Sequence, residues 1–451
     1  MKNRLVAGII LVLLGIFGYC ADARADPEVK IRIEGELREL SPPAQIINNR
    51  TMVPIRFIIE DEALNGKVYW DEKESKVALD CKGRYIEFVI GEKKALLDGE
   101  MKYFDAAPYI NRDRTFVPLR FLVENLGAIV SWKSQEREVG ISFNYTPKIF
   151  AYYYYHGFDE LKKNAHLFTD VAFRWFATNE RGELFYEYQD DYEEILQFCQ
   201  GESIKTHASV VLMEKEPLHK LLSSKESRQR LCANLLDKVN GGSYDGVNID
   251  FEFIDPTDAE KYCTFLRELK TYLGTEKCLS VAVFAKTGKE NWPSAYDYEK
   301  IGQIVDQLIV MAYDYSYINT DPGPIAPLWW VEDVLSYASR KVPREKILLG
   351  LPTYGYDWAP DLPASTVTGK KLQKIASRYT LKENFDESSM SPCFYYYDDK
   401  KILHQIWMEN NKSIREKLLL ANNSRIGGIS FWRIGNDFNE LYELLENYPE
   451  N

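Results

Sequence analysis

From Lys148 onward the chain alternates between two hydrophobic rhythms. Short apolar runs of strand length recur: KIFAYYYY from Lys148, a run within HLFTDVAFRWF, and THASVVLM from Thr206. YDGVNIDFEF, LSVAVFA, QLIVMAYDYS, KILLGLPTYGY and GGISFW complete a set of eight. Between them lie stretches of helical period. Ser224 to Val239 places Leu231, Leu235, Leu236 and Val239 on one side. Asp258 to Leu273 starts on a residue suited to an N-terminal cap. YDYEKIGQIVD and WWVEDVLSYASRKV supply two more helices. Eight strands alternating with helices over residues 148–447 predict an α/β fold, a (β/α)8 TIM barrel. A doubly wound sheet is the alternative, but no Gly-x-Gly-x-x-Gly follows the first strand. The stretch from Asp357 to Ile426 holds helix-like TGKKLQKIASRY and strand-like CFYYYDD and ILHQIWME. It predicts a small α+β insertion, residues 357–426, between strands 7 and 8.

The region before the barrel contains a repeat. NRTMVPIRFIIE, Asn49 to Glu60, returns as DRTFVPLRFLVE, Asp113 to Glu124, 64 residues on. Each copy runs to a tryptophan, Trp70 or Trp132, and then an alternating strand. A duplicated supersecondary unit is the natural reading. Each copy predicts a short strand, a brief helix over RFIIEDEAL or RFLVENLG, and a strand pair; RYIEFVIGEKKALLDG between them reads as a hairpin. No cluster of acids, His or Cys occurs in residues 26–145, so a small duplicated α+β module serving adhesion or spacing is expected there. Its repeated arginine suits either an anionic ligand or a structural ion pair.

The first 25 residues read as an export signal: basic MKNR, an apolar core from Val6 to Tyr19, and small residues at Ala23 and Ala25. The expected location is secreted or wall-associated, with an uncleaved anchor as the alternative. Export permits disulfides among the six cysteines after Cys20, and buried free thiols fit them as well. A net charge of -12 excludes nucleic acid as an expected partner. The 30 Tyr and 9 Trp suit either a sugar cleft or a Tyr-rich core.

The candidate chemistry lies in DGVNIDFE. Asn248, Asp250 and Glu252 are spaced by two, so a strand points all three to one face, roughly 6.5–7 Å apart. Two carboxylates and an amide facing one way are costly to bury without a purpose. Asp250 beside Glu252 raises the latter's pKa and suits it to general acid work. Asp245 is the next polar group, placed for a turn or a hydrogen-bond network. A structural network and a divalent metal site are the rival readings; a metal wants more oxygen or His ligands than this strand offers.

Four segments in barrel order resemble glycoside hydrolase family 18, the chitinase-like barrels. They are DGVNIDFE, MAYD at Met311 to Asp314, LPTYGYDW at Leu351 to Trp358, and GGISFWRIG ending at Gly435. PGPIAPLWWVEDVLSYA and WMENNKSI resemble the peptidoglycan and spore-cortex N-acetylglucosaminidase branch. The resemblance implies retaining, substrate-assisted hydrolysis of β-1,4 bonds following N-acetylglucosamine in peptidoglycan or cortex glycan, with chitin or N-glycans as the alternative substrates, and no metal, cofactor or obligate protein partner. By the same resemblance Glu252 is the acid and base, Asp250 orients the acetamido group, and Tyr313 hydrogen-bonds its oxygen. Asp314 binds the distorted sugar, Trp432 floors the pocket, Tyr354 walls it and Met311 packs at its base. Asn248 replaces an Asp of the common DxDxE run, as the cell-wall branch does. The double RT-x-VPxR pattern over residues 27–144 resembles the N-terminal domain of copper amine oxidases and implies attachment or spacing. A non-catalytic glycan-binding wall protein is the rival class.

Overall fold

The computed structural model describes residues 28–448 apart from 134–135, 144–145, 187 and 292. The expected export signal, with Cys20, lies outside the described residues. The chain divides into two compact units. The first runs to Leu126 and includes Ser131–Ile141; the second holds Gly127–Val130 and everything from Ser142.

In the first unit the two RT-x-VP segments form strands Arg50–Pro54 and Arg114–Pro118, which pair antiparallel at the centre of a four-stranded sheet. Each strand ends in its proline, which opens a short helix, Ile55–Ile59 or Leu119–Glu124. Both helices are shorter than the sequence suggests. Five antiparallel strands between Lys67 and Tyr103 form a second sheet in chain order. It contains the expected hairpin, with Ile86 opposite Leu97.

The second unit is a closed barrel of eight parallel strands. They are β1 (Lys148–Tyr153), β2 (Asp170–Thr178), β3 (Lys205–Leu212), β4 (Gly246–Phe251), β5 (Cys278–Phe284), β6 (Gln307–Met311), β7 (Ile347–Pro352) and β8 (Gly428–Ile434). Each pairs with its chain neighbours, and β1 closes the ring against β8. The strands are almost wholly buried because helices cover the outside and side chains fill the inside. The helix Lys225–Gly241 is capped by Ser224, whose hydroxyl accepts from the Ser227 amide at 3.1 Å. Asp258 stands at the cap position of Ala259–Leu273, yet its buried carboxylate holds Lys261 and His219 instead.

The insertion begins earlier than expected. KILLGLPTYGY is two strands: β7 ends at Pro352, and Tyr354–Ala359 belongs to a separate five-stranded antiparallel sheet. Thr353 makes the corner, held to β8 by its hydroxyl on the Trp432 carbonyl at 2.8 Å. That sheet ends at Met408, and helix Asn411–Asn423 returns the chain to β8. The six cysteines of the described residues are free thiols, five of them buried. Among the described residues no helix is long and apolar enough to cross a membrane.

Candidate active site

β4 carries the acidic face. Asn248 lies deep in the barrel, fully buried; its carbonyl accepts from Ser209 Oγ at 2.8 Å and its amide donates to Ser280 Oγ at 3.0 Å. Both partners come from the flanking strands in register, Ser209 on β3 and Ser280 on β5. Asp250 follows on the same face; it is buried, and its Oδ1 has no hydrogen-bond partner among the described residues. Glu252 comes just after the strand ends, its backbone N–H fixed to the Leu212 carbonyl at 3.1 Å. The three side chains thus climb one interior face toward the C-terminal mouth, as the spacing predicts.

Burial pushes both carboxyls above their ordinary pKa. For Glu252 the charge of Asp250 adds to burial, and Asp314 adds further. The Arg174 guanidinium opposes these shifts on both acids. Arg174 lies on β2, its guanidinium over the Tyr154 ring at 5.1 Å and its buried Nε without a hydrogen-bond partner among the described residues. Two neighbouring acids, both shifted toward the neutral form, can hold and release a proton near neutral pH.

Tyr313 and Asp314 follow β6. The Tyr313 ring passes over Gly350 of β7, where a Cβ would stand 3.3 Å from Tyr313 Cε1 and 2.6 Å from the Val310 carbonyl. Glycine therefore makes the room for Tyr313. Asp314 has φ 59, a left-handed conformation that costs a non-glycine residue about 1–2 kcal/mol. Its Oδ1 accepts from Tyr354 at 2.7 Å and from Tyr356 at 3.1 Å, and these bonds pull its pKa down against the stronger upward push of burial. The Trp432 indole, at the end of β8, lies 5.5 Å from the ring of Tyr152 on β1, and the Trp432–Arg433 peptide is cis. Met311 closes β6 opposite Gly350, half-buried at the base of this group.

The structure therefore brings Asn248, Asp250, Glu252, Tyr313, Asp314, Tyr354, Trp432 and Met311 to one end of the barrel. Asp245 is not among them. It precedes β4 at the opposite mouth, where its carboxylate accepts from the Thr206 amide at 2.9 Å and from Lys205 at 3.0 Å. Seven residues of extended chain separate it from Glu252, roughly 20 Å. Two residues at the site were absent from the sequence reading. Tyr356 shares a strand face with Tyr354 and Trp358, a period-two aromatic row visible in the sequence. Arg174 is the charge inside the apolar run VAFRWF. Among the described residues no cluster of three His, Cys, Asp or Glu side chains is arranged to hold a metal ion.

Residues 32–141 match the model of the copper amine oxidase N-terminal domain, and residues 148–437 match that of glycosyl hydrolases family 18. The cortical fragment-lytic enzyme of Bacillus anthracis is 32% identical over 230 residues, covering 49% of this chain and 54% of that protein. The chain thus spans about half the length of this curated relative. The spore cortex-lytic enzyme SleL of Bacillus cereus superposes with a TM-score of 0.61 at 26% identity, covering 66% of this chain and 74% of that one. A chitinase from Chromobacterium violaceum superposes with a TM-score of 0.62 at 28% identity, covering 67% and 98%. With the barrel, its acidic strand and a family match over well more than half of its length, the chain belongs to glycosyl hydrolases family 18.

Proposed function

We propose that this protein is a retaining glycosidase that cleaves β-1,4 bonds following N-acetylglucosamine in peptidoglycan or cortex glycan. The observation that carries this reading is the placement of Asp250 and Glu252 two residues apart on one interior face, Asp250 buried and Glu252 half-buried, with partial burial and the charge of Asp250 holding Glu252 toward its protonated form. Protonated Glu252 donates to the glycosidic oxygen as the bond to the anomeric carbon breaks. The carbonyl oxygen of the substrate's own 2-acetamido group attacks that carbon, giving an oxazolinium ion. Asp250, whose Oδ1 has no partner among the described residues, orients the acetamido N–H and stabilises the positive charge. The Tyr313 hydroxyl holds the acetamido oxygen. Glu252, now a carboxylate, takes a proton from water as the water opens the oxazolinium ring, so configuration is retained.

Asp314, fixed by Tyr354 and Tyr356, binds a hydroxyl of the distorted sugar, and Trp432 supplies the flat floor beneath it. The cortex-lytic names of the relatives favour a wall glycan as substrate. Chitin is the second reading, favoured by the likeness to the Chromobacterium chitinase. Wild type and Glu252→Gln are to be assayed on peptidoglycan and on chitin oligomers, with mass spectrometry of the new reducing ends. Release of N-acetylglucosamine ends by the wild type alone is the expected result. Equal release by both proteins would reject the catalytic role, and N-acetylmuramic acid ends would reject the assigned bond.

A further inference from the structure

The first unit carries a surface cleft of about 340 Å³ that the barrel chemistry does not use. It opens between the hairpin bearing Ile110, Arg114 and Thr115 and the strands bearing Val68, Trp70 and Val77. Its volume is that of a site for one small ligand. The internal repeat shows which parts of this unit have been held constant. Of the ten lining residues, eight recur identically in the other copy. The two that differ do so mildly, Ile55 against Leu119 and Asp113 against Asn49.

The buried positions are mixed: Met52, Ile58, Ile59 and Leu79 correspond to Phe116, Leu122, Val123 and Ile141, whereas Val53, Val68 and Val77 recur as Val117, Val130 and Val139. Packing demands only volume and apolarity, and duplicated cores drift within those limits. Exposed side chains escape even that demand. Yet Trp70 and Ile110, 42% and 49% exposed, keep their identity in Trp132 and Ile46, also exposed. Apolar surface retained against water points to a ligand.

Charge narrows the ligand. Arg56 is paired with Glu60 at 2.8 Å. Arg114 has no ion pair or side-chain hydrogen bond among the described residues, whereas its counterpart Arg50 donates to Asp105 at 2.7 Å. Asp113 also lines the cleft, so one guanidinium beside one acid suits a singly charged anion better than a phosphate. An indole face beside a free guanidinium matches a sugar ring bearing a carboxylate.

We propose that this cleft binds a carboxylate-bearing saccharide unit, the ring lying on Trp70 and the carboxylate gripped by Arg114. The site is independent of the catalytic assignment and serves attachment to an acidic glycan. The test is co-sedimentation of the full chain with peptidoglycan sacculi stripped of phosphate polymers, in the cold. Excess soluble N-acetylglucosamine oligomer is present to occupy the barrel. Trp70→Ala and Arg114→Gln each lower the bound fraction threefold or more, Tyr103→Ala at another exposed aromatic does not, and chitin retains at least threefold less wild type than sacculi do. A smaller drop in either cleft variant, equal retention on chitin, or no sedimentation of the wild type overturns the proposal. Cleavage of soluble oligomers by the same variants stays at the wild-type rate, which separates failure of the cleft from failure of the barrel.

Discussion

Tyr354 donates a 2.7 Å hydrogen bond to Asp314, and so a residue of the insertion sheet fixes a carboxylate that follows β6 of the barrel. The bond fixes one carboxylate oxygen of Asp314, whose backbone is left-handed. Tyr354→Phe removes the shorter of two donors and leaves Tyr356 at 3.1 Å. A hydrogen bond to a charged group contributes about 1.5 kcal/mol, which corresponds to roughly a tenfold fall in kcat/KM. Steady-state kinetics on a soluble oligomer checks this, and an unchanged kcat/KM would remove Tyr354 from the site.

That pair also marks how far the sequence could be read. The eight barrel strands were legible because each is a short apolar run flanked by a helical period. The acidic face of β4 was legible because strand side chains alternate strictly, so Asn248, Asp250 and Glu252 had to share a side. Tyr354 was placed on the end of a barrel strand, since nothing in LPTYGY marks Thr353 as a corner. The corner depends on the Thr353 hydroxyl reaching Trp432, a contact across 79 residues. Asp245 is near Glu252 in sequence, but an extended strand carries its two ends to opposite mouths, and Asp245 serves the hydrogen-bond network at the strand start. Arg174 was missed because its neighbours in space, Asp250 and Tyr154, come from other strands.

Arg174 is expected to hold down the alkaline limit of activity on the proposed mechanism. Its charge lowers the pKa of both Asp250 and Glu252 against the upward push of burial. A general acid works only while protonated, so with Glu252 as the proposed acid kcat/KM is expected to fall as pH rises through its pKa. Arg174→Met removes the opposing charge and moves that falling limb to higher pH by about 0.5–1 unit. A pH profile of kcat/KM for the two proteins measures the shift. A limb that stays in place or moves to lower pH contradicts this role.

The same acids cost stability at neutral pH. Each has a folded pKa above its unfolded value, so the folded chain binds more protons than the unfolded one between the two. Their contribution is fully present below the ordinary carboxylate range and is lost as pH rises through the raised folded values. Glu252→Gln removes one titrating group from this balance. The variant should match the wild type near pH 4 and exceed it by about 1–3 kcal/mol above neutrality. Thermal unfolding at a series of pH values tests this, and a difference independent of pH would show that Glu252 is not held neutral by the fold.

Asn248→Asp reverses the sign. Asn248 is fully buried, and its amide donates to Ser280 while its carbonyl accepts from Ser209. Aspartate keeps the acceptor, but its second oxygen then faces a serine that must turn to donate. A third carboxylate is added beside Asp250, with its charge desolvated and no cation hydrogen-bonded to it. Burial and the new like charge both favour the protonated acid, so the folded pKa rises above the unfolded one. The variant is therefore less stable than the wild type at neutral pH, by about 1–3 kcal/mol. The deficit shrinks as pH falls toward 4, where the new acid is protonated in both states. Where the new acid ionises, its negative charge also raises the Glu252 pKa, so the alkaline limb of kcat/KM moves upward together with the loss of stability. Unfolding curves and pH profiles on the same samples test the coupling, because both effects arise from one charge. A variant destabilised equally at all pH values would owe its loss to packing, and the amide would then have no electrostatic part in keeping Asp250 ready.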